Sequence, residues 1–135
     1  LFTIKTNDMR EIKFRAWDGE KMRFPNLINT SHSRSLTCYT IDRFEPAHFD
    51  ADNLMQFTGF LDKNGNEIYH GDVVRVSDWF GTPVVGEVIW DDMRGVWMAK
   101  DQKHNDKEYL HELIKRDSFV IIGNIYENPE LLNND

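Results

Sequence analysis

Asp62-Lys63-Asn64-Gly65-Asn66-Glu67-Ile68-Tyr69-His70-Gly71-Asp72-Val73-Val74-Arg75-Val76-Ser77 sets the texture of this chain. Asn64-Gly65 supplies the positive backbone angles that a tight reversal needs, so Lys63–Asn66 reads as a turn. Gly71-Asp72 marks a second break. Val73–Ser77 then alternates, with Val74 and Val76 on one face and Arg75 on the other, the period of a half-buried strand. Downstream, strand follows strand. Trp79-Phe80-Gly81-Thr82-Pro83 is a loop carrying two large aromatics, Val84–Trp90 a strand, Asp91–Gly95 a turn and Val96–Lys100 its antiparallel partner. Asp101–Lys107 reads as a polar loop. Glu108–Arg116 places Tyr109, Leu110, Leu113 and Ile114 at helical spacing over about two turns. Ser118–Tyr126 is the last strand, Pro129 stops it, and residues 129–135 read as a polar tail. Short strands joined by tight turns predict a mainly β fold with a small, strongly bent barrel over residues 57–128.

Upstream of Gln56 the signal is weaker. Residues 1–8 precede the first methionine, Met9, and read as an N-terminal extension or a leftover of cloning. Ile12, Phe14 and Ala16 alternate with Lys13, Arg15 and Trp17, which predicts a half-buried strand. Asp18-Gly19 turns the chain, and Lys21–Phe24 returns as a hairpin partner before Pro25. Asn29–Ser35 reads as a loop, Leu36–Ile41 as a strand, and Arg43–Asn53, with Pro46, as irregular or a short helical turn. Phe119-Val120-Ile121-Ile122 is apolar on both faces, whereas a free-standing barrel wets its outer side. The strands of region 9–56 are therefore expected to cover the outside of the barrel.

Composition bounds the function classes. The chain has 135 residues, 40% of them apolar and 29% charged, with a mean hydropathy of -0.59, which describes a soluble globular chain. Its apolar runs are far shorter than the roughly 20 residues that span a bilayer, so no membrane association is expected. No secretory leader is read at the start, and the single cysteine, Cys38, excludes an internal disulfide framework; a reducing cytoplasm is the expected compartment. The net charge of -7 disfavours nucleic acid as a partner. Charge is uneven: residues 1–50 carry eight basic and seven acidic residues, and 51–135 carry eight basic and sixteen acidic. Arg10, Lys13, Arg15, Lys21 and Arg23 form the one basic stretch. Acidic residues interleave it, as on a solvated strand pair.

Three blocks resemble the YopX family of phage and prophage proteins. Met9-Arg10-Glu11-Ile12-Lys13-Phe14-Arg15-Ala16-Trp17-Asp18 is similar to its opening. Leu54–Gly59, Asp62–Gly65 and Glu67–Val74 are similar to its central block, and Val120–Leu132 resembles its closing signature. Phe57 and His70 stand where the family more usually has Tyr and an acidic residue. The resemblance implies a β-rich fold with an SH3-like barrel in the C-terminal half and an origin in a phage or prophage. It implies no activity, and no catalytic residues are carried over.

The chemical motifs are mostly negative. Asp62–Glu67 has a calcium-loop texture, but Glu67 stands sixth where the EF-hand needs Gly, and Val73 stands twelfth where it needs Glu. His32, His48, His70, His104 and His111 never take zinc-ligand spacing, so no metal or other cofactor is expected. Cys38, on a strand, reads as a buried inert thiol. Asp91-Asp92 reads as a turn former rather than an acid–base pair. Gly59, Gly65, Gly71, Asp72 and Asn124 read as positions the fold itself requires.

The aromatics carry the functional reading. Trp79-Phe80 occupies the place where SH3-like barrels carry a long loop beside the ligand groove. Either this pair folds back as a lid or buries in a homo-oligomer, or it forms a ligand-contact surface. Trp97 alternates away from Val96 and Met98, so it or they must point outward. The leading expectation is a non-enzymatic phage or prophage binding protein that recognises a host or phage protein, or a copy of itself, through Trp79, Phe80, Trp97 and Arg94. A nucleic-acid accessory protein using Arg10–Arg23 is one alternative. A small-nucleotide binder or an enzyme without a recognisable motif is the other.

Overall fold

Asp62 builds the first reversal. Its Oδ1 accepts the backbone N–H groups of Asn64 and Asn66 at 2.9 Å each, and its Oδ2 accepts the Asn66 amide at 3.0 Å. Gly65 supplies φ of 84°, a left-handed angle open to glycine. In the computed structural model, residues 10–25, 27–29, 37–42, 45–50 and 53–133 are described, with side chains for 10–25 and 53–133. They fall into two compact units, one built on Ile12–Gln56 and one on Phe57–Asp135.

In the first unit β1 (Phe14–Trp17) pairs with β2 (Met22–Arg23) through the expected hairpin. Asp18 Oδ1 accepts the N–H groups of Glu20 and Lys21 at 2.8 Å each, and Arg23 Nε donates to Oδ2 at 2.7 Å. The Arg23 hydrogen bond, followed by those from the turn amides, holds the Asp18 carboxyl far below the usual carboxylate range. β3 (Leu27–Asn29), β4 (Thr37–Asp42) and β5 (Glu45–Asp50) form a separate antiparallel sheet in that order. β5 corrects the irregular reading of Arg43–Asn53. Pro46 fits there because β5 lies at the edge of this sheet, a position where proline is tolerated. β6 (Leu54–Leu61) begins in this unit, pairing Leu54–Gln56 with β1.

In the second unit the rest of β6 meets β7 (Glu67–Tyr69) through Phe57↔Tyr69 and Leu61↔Glu67. β8 (Asp72–Ser77), β9 (Pro83–Asp91), β10 (Val96–Asp101) and β11 (Asp106–Tyr109) follow as a meander. After α1 (Leu110–Leu113) the chain returns as β12 (Val120–Asn124), antiparallel to β8. The order β11-β10-β9-β8-β12, with a short helix before the last strand, is consistent with the path of an SH3-like barrel. Ile68, Val74, Val76, Val88, Trp97, Ala99, Leu110, Leu113 and Phe119 form one core cluster. Val74 and Val76 point into it while Arg75 is exposed, as their alternation requires.

Three expectations are corrected here. The helix is one turn rather than two, because Glu108 and Tyr109 belong to β11, paired with Ala99 and Met98. β11 is exposed along its whole length, so it lacks the apolar alternation that marks a strand. Residues 129–135 are not merely a polar tail: Pro129–Leu132 forms a 3-10 helix packed against β9. Gly123 makes room for it, since a Cβ there would stand 2.4 Å from Asn128 Oδ1 and 2.8 Å from Leu131 Cδ1. Finally, Trp97 and Met98 are both buried, at 6% and 3% exposure. The strict alternation expected at this point fails because both faces of β10 are covered.

Candidate functional site

The β8–β9 connection is a tied loop. Asp78 Oδ1 accepts the N–H groups of Phe80 and Thr82 at 2.8 Å each, the Asp78 N–H donates to Thr82 O at 2.9 Å, and the Gly81 N–H to Asp78 O at 3.1 Å. Gly81 takes φ of 80°, so the loop tip turns back on itself. Trp79 and Phe80 stand at that tip, 90% and 92% exposed. They do not fold back as a lid on the core, which corrects the lid reading and leaves burial in a homo-oligomer or a ligand-contact surface. The Arg116 guanidinium lies 5.3 Å from the Trp79 ring centroid, donates to Ser77 O at 3.2 Å, and sits 3.6 Å from Glu108 Oε2.

A meander brings alternate connections to one end of the sheet, so the turn between β10 and β11 lies beside this loop. Between them is a cavity of about 330 Å³. Its floor is taken as the buried Val76, Ala99 and Leu113 with the half-buried Val84. Its rim is taken as the half-buried Asp78 and Asp101 and the exposed Asp106 and Glu108, with His104 and Arg116 also lining it. A second hollow of about 490 Å³ adjoins it, sharing Asp78, Val84, Asp101 and His104 and running on to Leu131 and Leu132. His104 Nδ1 lies 2.6 Å from Asp101 Oδ2, and the Lys103 N–H donates to Asp101 Oδ1 at 2.9 Å. Burial opposes the Asp101 charge, but the hydrogen bonds from His104 and Lys103 outweigh it and hold the carboxyl below its usual range. Asp101 is therefore held as a carboxylate at neutral pH.

The other expected contact residues lie elsewhere. Arg94 is in the β9–β10 turn, at the opposite end of β9 from Trp79 and Phe80, roughly 25 Å away along the strand. Asp91 holds it there: Asp91 Oδ1 accepts the Arg94 N–H and Oδ2 the guanidinium, each at 2.9 Å, with Lys107 Nζ at 3.4 Å. The turn-forming role of Asp91 is thus observed, and Asp92 beside it is exposed. Trp97 is buried, with Trp90 edge-on at 5.2 Å and His70 at 6.0 Å. Only Trp79 and Phe80 of the four are together.

The basic stretch does not make one face. Arg15 is buried and Arg23 is paired with Asp18, while Lys13 is half-buried; Arg10 and Lys21 are the exposed members. No group of three or more metal-ligating side chains occurs among the described residues. The side chains of Cys38, His32 and His48 lie outside those residues, as do residues 1–8. Among the described residues no helix is long and apolar enough to cross a membrane. Sequence reading missed the acidic rim because its four carboxylates come from three separate segments. The available signal was the excess of sixteen acidic over eight basic residues after position 50.

Comparison with known proteins adds the lineage. The family described as YopX protein matches residues 13–133. The crystal structure of protein EF1440 from Enterococcus faecalis is similar, with a TM-score of 0.55 and 25% identity, covering 92% of this chain and 99% of that one. No curated protein matches. Carried by a match that runs from β1 through the last 3-10 turn, this chain belongs to the YopX family.

Proposed function

We propose that the chain is a protein-binding module of phage or prophage origin that works in the bacterial cytoplasm without catalysis of its own. One observation carries this reading: two large aromatics, 90% and 92% exposed, stand together on a loop whose backbone Asp78 ties down. Tryptophan is among the residues most enriched at the energetic centres of interfaces. A pre-ordered loop also loses little freedom on binding. The occupant is a different protein or a second copy of this chain.

The test is affinity capture from lysogenic cells with wild type and with the Trp79→Ala/Phe80→Ala variant, alongside sedimentation velocity of both. A captured protein, or a dimer, that disappears in the variant supports the reading. Identical capture and identical sedimentation of the two proteins refute it.

A further inference from the structure

We infer that the cavity beside the aromatic tip takes a lysine or arginine side chain from a basic segment of the partner protein, an inference that rests on the binding reading above. The cavity is amphipathic in one particular order, apolar at the floor and acidic at the rim. A long cationic side chain has the matching order, a methylene stem and a charged head. Other occupants fit worse. An apolar group leaves rim carboxylates stripped of water without a partner, and an anion meets like charge. A compact inorganic cation leaves the floor of Val76, Val84, Ala99 and Leu113 unused.

The rim already accommodates one guanidinium. Arg116 lies between the Trp79 ring, at 5.3 Å, and Glu108, at 3.6 Å. Four carboxylates line the cavity with that single arginine and with His104, whose ring is held on Asp101, so acidic side chains outnumber basic ones there. The excess matches the surrounding chain, where acidic residues outnumber basic ones two to one after position 50. Such a field speeds the encounter with a basic segment and disfavours acidic ones.

The experiment measures fluorescence anisotropy with three probes: a labelled peptide with arginines spaced by Gly-Ser, its counterpart with Gln at every Arg, and spermine as competitor. The proteins are wild type, Asp106→Asn/Glu108→Gln and Trp79→Ala/Phe80→Ala. The first variant alters an exposed edge strand, and its melting temperature checks that it folds. The expected result is arginine-peptide binding about tenfold tighter than the Gln peptide, weakening with salt and falling about fivefold or more in Asp106→Asn/Glu108→Gln. Amide shift changes should centre on Val76, Val84 and Ala99. No difference between the peptides, including no binding of either, overturns the inference. So does unchanged affinity in the carboxylate variant, or spermine matching the peptide in affinity and in shift pattern. Peptide binding that survives Trp79→Ala/Phe80→Ala but falls in Asp106→Asn/Glu108→Gln supports the cavity and counts against the aromatic tip. Capture lost in the aromatic variant while the peptides fail to differ leaves the tip standing and the cavity refuted.

Discussion

Replacing Trp79 and Phe80 together by alanine should barely change stability. Both side chains are nine-tenths in water, so their truncation returns little apolar area to solvent. The measurable loss is the Arg116 guanidinium over the Trp79 ring at 5.3 Å, worth about 0.5–1 kcal/mol at an exposed site. The loop itself survives, because Asp78 accepts from backbone N–H groups that alanine retains. An unfolding entropy of about 2.1 cal/mol/K per residue over 135 residues makes 1 kcal/mol equal to about 3–4 °C. If the Phe57–Asp135 unit melts alone, the same loss is about 6 °C. Truncating an aromatic that caps a core instead costs about 3–5 kcal/mol, a fall beyond about 10 °C. Calorimetric melting of the two proteins under one condition reads the difference directly. A drop of more than about 10 °C refutes the reasoning, since the side chains would then be supporting the core.

Trp97→Ala should lose about 3–5 kcal/mol in urea unfolding, because its indole is buried in the core cluster of the second unit; a loss below about 1 kcal/mol contradicts that placement. Gly123→Ala should destabilise by about 1–3 kcal/mol and raise hydrogen exchange over Pro129–Leu132, since its Cβ meets Asn128 and Leu131; unchanged exchange there argues against the packing. Asp62 carries a pH signature. Burial raises its carboxyl, but hydrogen bonds from Asn66 and Asn64 outweigh that and hold the pKa below its ordinary value. Its contribution is therefore complete above the unfolded pKa of about 3.9 and lost as pH falls through the lower folded value. Asp62→Asn should lower stability at pH 7 and flatten the acid limb, and acid curves that stay parallel to wild type rule this out.

What could be read from the sequence was what local chemistry dictates. Asn64-Gly65, Asp18-Gly19 and Asp91–Gly95 each announce a reversal, and Gly65, Gly19 and Gly95 all take positive φ. Val74 and Val76 against Arg75 announce a face. β11 stayed hidden because an exposed edge strand has no apolar period, so its Asp106-Lys107 reads as loop and its Glu108-Tyr109 as the start of a helix. Trp97 resisted for the opposite reason: both sides of β10 are covered, and alternation carries no information where neither face is wet. The exposed aromatic pair was visible as two residues in a Gly-Pro loop. The acidic rim was not, because only the meander brings Asp78 of one connection next to Asp101 and Asp106 of another.

The pairing of β12 with β8 has a consequence for biosynthesis. Ile121 lies opposite Val74, 47 positions earlier, so β8 gains its second neighbour only after β9, β10, β11 and α1 have all been synthesised. Until then β8 presents an unpaired edge that includes Val73 and Val74, both buried in the finished protein. A nascent chain stalled before Val120, or one truncated there, holds an open strand edge that any neighbouring extended chain can occupy. Late closure through such a distant contact slows folding and lengthens that exposure. A chain cut just before Val120 should therefore pellet on expression, and restoring residues 120–135 should return it to the supernatant.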